Sequence, residues 1–137
     1  MDWTLEVITI PVADVDRAKE FYADRVGFTL DHDSEFSDEL RVVQLTPPGS
    51  GCSIVIGRGL IDSPPGSVKG LQLVVKDLRA ARAELVERGV EVSDIDVIGP
   101  EGARPASDED ELDNVGFVWF NDLDGNRWAV QQISSRA

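Results

Sequence analysis

The sequence predicts an α+β fold built from two copies of a strand–helix–strand–strand–strand unit. Three observations support this prediction: period-two alternation typical of strands, two amphipathic segments that each follow an aspartate and stop at a glycine, and the recurrence of this order along the chain. With an offset of 63 residues, Val12 matches Val75 and Asp14 matches Asp77. A repeat of this kind indicates a duplicated structural unit, so we expect two modules.

Composition limits what the protein can be. The chain has 137 residues, 42% apolar and 28% charged, which is typical of one globular domain rather than a disordered chain. Its formal charge of −13 argues against nucleic acid as a partner, because binding phosphates needs clustered Lys and Arg. No apolar run reaches membrane-spanning length, and the N-terminus does not resemble a secretory signal. The single cysteine, Cys52, excludes an intrachain disulfide and favours a reducing cytoplasm.

The first module begins with a strand that alternates from Val7 to Val12. Asp14 is the expected N-cap of a helix whose apolar stripe continues to Val26, and Gly27 stands where a helix commonly ends. Three further strands are predicted, at Phe28–Asp33, Leu40–Thr46 and Cys52–Gly57, with the turn Pro47–Gly51 before the last.

The second module repeats this order. A strand from Gly70 leads to the N-cap Asp77 and a helix, and the later strands are predicted at Val90–Asp96, Val115–Phe120 and Arg127–Ile133, with Asp122–Asn126 as a hairpin turn. The whole chain, 1–137, is therefore predicted as one domain, with module 1 at about 5–57, a Gly- and Pro-rich linker at 58–69 and module 2 at about 70–134.

A module with one helix buries little apolar surface alone, so the two modules are expected to pair. Each helix should cover the outer face of its own sheet, and the other faces should enclose a cleft. By strand phase, the residues predicted to line it are Val7, Thr9, Gly70, Gln72, Val74, Ala129 and Gln131.

Two motifs resemble those of the vicinal oxygen chelate (VOC) superfamily, which includes glyoxalases, extradiol dioxygenases and bleomycin-resistance proteins. The first is VADVDRAKEFYADRVGF, and the second is DLDGNRW with the following VQQ, where the common form has Pro in place of Leu123. The resemblance covers nearly the whole chain. It implies paired βαβββ modules forming a curved sheet with helices on its outer face, and assembly as a dimer.

The resemblance also identifies where metal-dependent members carry their ligands. Carried over residue by residue, those positions are Val7, Gly70, the region of Val55, and Ala129. Val, Gly and Ala side chains offer no donor to a transition metal, so the sequence predicts that this metal site is absent and that no cofactor is bound.

No replacement site stands out. The single histidine, His32, lies between two aspartates, but adjacent strand residues alternate faces, so we expect a solvated strand end. The turn Asp122–Asn126 lacks the later ligands of a calcium loop. The acidic stretch Ser107–Asn114 could bind a divalent ion weakly, although an exposed loop is favoured. Cys52 is more typical of a small packed residue than of a nucleophile.

What remains is a cleft with aromatic and amide side chains. Strand phase carried over from the family predicts that Phe117 and Trp119 face it and that Trp128 packs under the helix. Polar side chains on otherwise apolar strands need partners, which a ligand could supply. The residues predicted to contact a small ligand are Thr9, Gln44, Gln72, Phe117, Trp119 and Gln131.

Three functions remain open at this point. The first is a metal-free protein that binds a small aromatic or cationic organic molecule, similar to the antibiotic-sequestering branch of the superfamily. The second is a lyase, isomerase or dioxygenase of the superfamily with a relocated metal site. The third is a metal-free catalyst that only orients its substrate. The first is favoured, as a cytoplasmic homodimer, and fold alone does not choose among them.

Overall fold

The computed structural model describes residues 1–136, and the chain folds into two compact units. The first unit comprises Met1–Val68 and Asp122–Asn126, and the second comprises Lys69–Asn121 and the segment from Arg127 onward. Each unit has one sheet and one main helix, so the predicted α+β class is confirmed. No helix among the described residues is long and apolar enough to cross a membrane.

The first unit has a four-stranded sheet in the order β1-β4-β3-β2, in which β1 runs parallel to β4 and the other pairs are antiparallel. Its helix α1 packs against β4. The elements are β1 (Val7–Thr9), α1 (Val15–Glu20), a π-helical turn (Phe21–Val26), β2 (Thr29–Glu35), β3 (Arg41–Thr46) and β4 (Ser53–Arg58).

The second unit has a five-stranded sheet in the order β5-β9-β8-β6-β7, in which β5 runs parallel to β9. Its helix α2 packs against β8 and β9. The elements are β5 (Leu71–Val75), α2 (Leu78–Glu87), β6 (Asp96–Gly99), β7 (Gly102–Pro105), β8 (Gly116–Asn121) and β9 (Arg127–Gln132).

The predicted repeat is visible in matched helix caps. The Asp14 carboxylate accepts a hydrogen bond from the backbone N–H of Arg17, and the Asp77 carboxylate accepts one from Ala80, both at 3.1 Å. Each bond satisfies one of the N–H groups that a helix start leaves without an intrahelical partner. The parallel pairings of β1 with β4 and of β5 with β9 repeat the same topology.

Two local predictions were wrong. The first helix is α-helical only to Glu20 and continues as a π-helical turn, so that the adjacent Phe21 and Tyr22 are both buried. In the second module, the strand predicted at Val90–Asp96 is reduced to a single bridge between Val92 and Phe120, and β6 begins only at Asp96. β6 forms a hairpin with the additional strand β7 through a turn at Pro100 and Glu101. Both strands of this hairpin are short and largely outside the core, so no alternating pattern indicates them in the sequence.

The β8–β9 turn packs within the first unit, and Asp122 is its centre. The Asp122 carboxylate accepts hydrogen bonds from the Tyr22 hydroxyl and the Asn126 side-chain amide, both at 2.7 Å. It also accepts hydrogen bonds from the backbone N–H groups of Asp124 and Asn126. Asn126 in turn donates to the carbonyl of Pro11 at 2.9 Å. Every oxygen of this buried carboxylate therefore has protein partners, and the turn is a structural hairpin, as predicted.

Candidate functional site

The first sheet has one buried face and one partly exposed face, set by the alternation of β3. Arg41, Val43 and Leu45 are buried on the helix side, whereas Gln44 and its same-face neighbours are half-buried. The strand register places Gln44 opposite Val55, and Val55 opposite Thr9. The structure therefore brings Thr9 and Gln44 onto one face of the first sheet, with Val55 between them.

A polar strip beside Gln44 was not predicted from the sequence. The Gln44 amide lies 3.4 Å from the Ser53 hydroxyl, which lies 2.6 Å from the Thr46 hydroxyl, and Thr46 also hydrogen-bonds the Asp31 carboxylate. Alternation along β3 and β4 could have suggested that Thr46 and Ser53 share the Gln44 face. Their contact, however, depends on the register between the two strands, which no short-range pattern encodes.

The aspartates on either side of His32 do not converge. Asp33 binds the guanidinium of Arg41 through both carboxylate oxygens, at 3.0 and 2.7 Å, and accepts a 2.9 Å bond from Lys19. These hydrogen bonds hold the pKa of the Asp33 carboxyl well below its usual range, with the bond from Arg41 contributing most. Asp31 instead bonds Thr46 on the other face. Regular alternation would put both aspartates on one face, and the irregularity in the β2–β3 register between Leu30 and His32 separates them.

The second sheet carries an aromatic surface on its partly exposed face. The Phe117 and Trp119 rings are stacked, with centroids 5.8 Å apart and planes inclined by 13°. Both side chains are half-buried, whereas Phe120 and Trp128 are buried and stacked together on the opposite face. The structure therefore puts Phe117 and Trp119 on one face of the sheet and Trp128 on the other, as strand alternation predicts.

Amide side chains border these aromatic rings. Gln72 donates a 2.6 Å hydrogen bond to the side-chain carbonyl of Gln131, which itself donates to the backbone carbonyl of Asn114 at 2.9 Å. The register places Gln131 beside Phe117, and Ala129 between Gln72 and Trp119. Four of the six predicted contact residues thus share one face of the second sheet. We call this surface, formed by Gln72, Phe117, Trp119, Arg127, Ala129 and Gln131, the aromatic face.

Arg127 belongs to this face and was missed by sequence reasoning. Its guanidinium carbon lies 5.6 Å from the centroid of the Trp119 ring, within the usual range of a cation–π contact. The register explains the contact, because Arg127 is the partner of Asn121 and is thus diagonal to Trp119. The alternation of RWAVQQ could have put Arg127 on the Ala129 face, but not over a particular ring.

The positions at which the superfamily resemblance expects metal ligands do not fit a metal ion. Val7 and Val55 share a face of the first sheet, and Gly70 and Ala129 belong to the aromatic-face side of the second. A Cβ added at Gly70 would meet no atom within 4 Å, so space at the backbone is not the obstacle there. The obstacle is chemical, because none of the four residues carries a nitrogen, oxygen or sulfur donor in its side chain. Within residues 1–136, no group of three or more His, Cys, Asp or Glu residues is arranged to hold a metal.

The acidic stretch Ser107–Asn114 is held by its own contacts. Arg104 makes a bidentate ion pair with Asp110 at 2.8 and 2.9 Å, and Arg79 donates to the backbone carbonyls of Ser107 and Asp110. The paired guanidinium keeps the pKa of the Asp110 carboxyl well below its ordinary value. Within the stretch, the Leu112 side chain is buried. Arg104 therefore occupies the Asp110 carboxylate, one of the groups that a weakly bound divalent ion would need.

Two surface pockets lie away from the predicted contact residues. One, of about 460 Å³, is lined by the β6–β7 hairpin, including Glu101 and Arg104. Another, of about 280 Å³, lies between Pro11 and the segment that follows β4. Neither pocket is lined by an aromatic side chain, so neither offers the ring contacts that Phe117 and Trp119 offer.

Comparison with known proteins places these features in a family. The model of the Glyoxalase/Bleomycin resistance protein/Dioxygenase superfamily matches residues 4–130. The search of curated proteins returned no match.

Solved structures agree with the family match. The structure of TnmS3, an antibiotic binding protein from Streptomyces sp. CB03234, is 33% identical over 97% of this chain and 98% of its own, with a TM-score of 0.74. A glyoxalase/bleomycin resistance protein from the same organism is also 33% identical, over 94% of this chain and all of its own, with a TM-score of 0.71. A superfamily member from Sphaerobacter thermophilus DSM 20745 is 27% identical over 96% of this chain and 98% of its own, with a TM-score of 0.74. The chain belongs to the Glyoxalase/Bleomycin resistance protein/Dioxygenase superfamily, the vicinal oxygen chelate proteins that its two motifs resemble.

Proposed function

We propose that this protein binds a small aromatic or cationic organic molecule and does so without the metal that many superfamily members use. The observation that carries the proposal is the pair of stacked, half-buried rings of Phe117 and Trp119. In a sheet whose opposite face already has its own buried aromatic pair, a second partly exposed pair is not needed for the core. Apolar surface of this kind, bordered by a few amides, is typical of small-molecule sites.

Two further lines of support point the same way. TnmS3, which is 33% identical over nearly the full length, is described as an antibiotic binding protein. The four positions that would supply metal ligands hold Val7, Val55, Gly70 and Ala129, which removes the Lewis acid on which metal-dependent members rely. Binding of an organic ligand needs no Lewis acid and can use the surface that carries Phe117 and Trp119.

The proposed contact residues fall on two sheets. Phe117 and Trp119 supply ring contacts, and the amides of Gln72 and Gln131 supply hydrogen bonds that fix the orientation of the ligand. On the first sheet, we propose that Thr9 and Gln44 contact the ligand through their hydroxyl and amide groups. We also propose that the protein acts in the cytoplasm as a homodimer, as the superfamily resemblance and the single cysteine suggest.

The test combines metal analysis with ligand recovery. Protein purified without chelator and without a histidine tag is analysed for transition metals, and is then equilibrated with a panel of aromatic and cationic compounds. We expect less than about a tenth of an equivalent of any metal, and at least one compound recovered chemically unchanged from the protein fraction. Near one equivalent of zinc, iron, nickel or manganese, or conversion of the bound compound, would contradict the proposal and favour an enzyme of the superfamily.

A further inference from the structure

We propose that the ligand of the aromatic face is an aromatic acid, whose ring rests on the Phe117–Trp119 pair and whose anionic group binds Arg127. This inference rests on the proposed function and narrows its ligand class, because among aromatic ligands it selects acids and it rejects the cationic alternative. It follows from how Trp119 is already engaged by its neighbours and from the charges at the two ends of the face.

Trp119 has neighbours on both sides. Along β8 the same-face order is Phe117, Trp119, Asn121, and Arg127 is the register partner of Asn121. Phe117 and Arg127 therefore approach Trp119 from opposite sides, one stacked at 5.8 Å between centroids and the other at 5.6 Å from the ring centroid. The result is a row of guanidinium, indole and phenyl groups across the aromatic face.

This row disfavours a cationic ligand at Trp119. A cation is attracted to the negative face of an aromatic ring, whereas the ring edge carries partial positive charge. Because Phe117 and Arg127 approach the two sides of the indole, a ligand meets mostly ring edges and the guanidinium. Ring edges and a cation together attract the electron-rich face of an aromatic ligand and an anionic substituent on it.

Arg127 is suited to bind that substituent. Its side chain is exposed, and no acidic side chain within residues 1–136 forms a salt bridge with it. Its contact in the structure is the Trp119 ring, at 5.6 Å from the ring centroid. A cation–π contact uses none of the N–H donors of the guanidinium, and their fork matches a carboxylate.

The opposite charge lies at the other end of the face. Asp96 on β6 is the register partner of Phe117, so strand alternation puts it on the same face. The Arg127 and Asp96 positions are four residues apart along β8, or about 13 Å at roughly 3.3 Å per residue. A cationic ligand would therefore depend on Asp96, and an acidic ligand on Arg127, which makes the two alternatives separable.

The test uses three probes that share one ring system: 2-naphthoic acid, 2-naphthylmethylamine and 2-naphthalenemethanol. Their affinities are measured by equilibrium dialysis on the full chain. We expect the acid to bind about 3- to 10-fold more tightly than the alcohol, as one exposed but pre-oriented charge-assisted contact allows, and the amine to bind least. If the amine binds best, the inference is wrong while the proposed function stands. If none of the three binds at its solubility limit, the inference is wrong, and the panel of aromatic and cationic compounds decides the proposed function.

Variants assign the preference to Arg127. We expect Arg127→Gln to abolish the preference for the acid over the alcohol, and Asp96→Asn to leave that preference in place. Arg88→Gln is the matched control, because Arg88 pairs with Glu84 on α2 and its loss changes the net charge equally. An acid preference that survives in Arg127→Gln, or that disappears equally in Arg88→Gln, would overturn the inference. Circular dichroism of each variant confirms that it is folded.

Discussion

Trp119 and Ala129 lie directly opposite each other on β8 and β9, and Gln72 flanks Ala129 on β5. The superfamily resemblance expects a glutamate at position 129, and the methyl group found there leaves room beside the indole. Alanine at position 129 therefore has two effects: it leaves the Trp119 ring accessible to the proposed ligand, and it removes a metal ligand. Restoring the larger, charged side chain separates these two consequences.

Ala129→Glu should weaken binding of 2-naphthoic acid by about 5-fold or more, because the new carboxylate faces a like charge and fills space beside Trp119. It should recruit no metal, since the other three ligand positions still lack donors. Equilibrium dialysis and metal analysis measure the two effects. Ala129→Gln has the same size without the charge, so equal losses in both variants would show that repulsion plays no part.

Tyr22→Phe should lower the free energy of unfolding by about 1.5–3 kcal/mol, because it removes a hydrogen bond to a buried carboxylate. Tyr22 is fully buried, and its hydroxyl donates to Asp122 at 2.7 Å. Urea denaturation measures the change. Trp3→Phe, at a side chain with 87% exposure, is the control and should change stability by less than about 0.5 kcal/mol. A loss below that value for Tyr22→Phe would mean that this bond adds nothing to the turn.

Gly66→Ala should destabilise the protein more than Gly49→Ala. Both glycines have positive φ, +81° and +83°, so both substitutions carry a backbone penalty of about 1–2 kcal/mol. Only at Gly66 would the added Cβ lie 2.0 Å from a backbone atom, the carbonyl oxygen of Asp124, whereas at Gly49 it would meet nothing within 4 Å. Thermal and urea unfolding of the pair should therefore differ by at least about 1 kcal/mol. Equal losses of stability in the two variants would show that the backbone at Gly66 shifts to accommodate the added Cβ.

In Asp33→Asn, the free energy of unfolding should fall less steeply with decreasing pH than it does in the wild type. The pKa of the Asp33 carboxyl is depressed in the folded protein, first by its hydrogen bonds to Arg41 and then by that to Lys19. A depressed folded pKa means that the stabilisation is complete above the unfolded carboxyl pKa, near 4, and is lost as the pH falls from there toward the folded value. Urea denaturation at a series of pH values from 7 down to 3 measures this slope. If the free energy of unfolding falls with pH as steeply in the variant as in the wild type, Asp33 is not a source of the acid sensitivity.

The fold was predictable where local patterns agree with tertiary pairing. The Asp14 and Asp77 caps, the helices that follow them and the long strands β3, β8 and β9 all carry strong periodic signals. The exposed strand β7 carries none, because it exists only as the hairpin partner of β6. The π-helical turn at Phe21–Val26 was hidden for a related reason, since its apolar residues also suit an α-helical stripe.

Some features of the candidate site were also predictable from local patterns, and others were not. Alternation along β8 and β9 predicts which aromatic residues face the core and which do not, and the structure agrees for Phe117, Trp119 and Trp128. The contacts of Arg127 with Trp119 and of Ser53 with Thr46 depend on the register between strands. Register is set by the whole sheet, so these contacts could not be read from either strand alone.

The most direct test of the central claim uses the three tryptophans as separate reporters. Trp3 is exposed, Trp119 belongs to the aromatic face and Trp128 is buried on the opposite face of the same sheet. The three indole N–H signals in a ¹⁵N–¹H NMR spectrum are assigned by single Trp→Phe substitutions and followed during titration with 2-naphthoic acid. Saturable movement of the Trp119 signal, with the Trp3 and Trp128 signals nearly unchanged, is the predicted result. A Trp119 signal that stays in place while the probe binds would show that the aromatic face is not the binding surface.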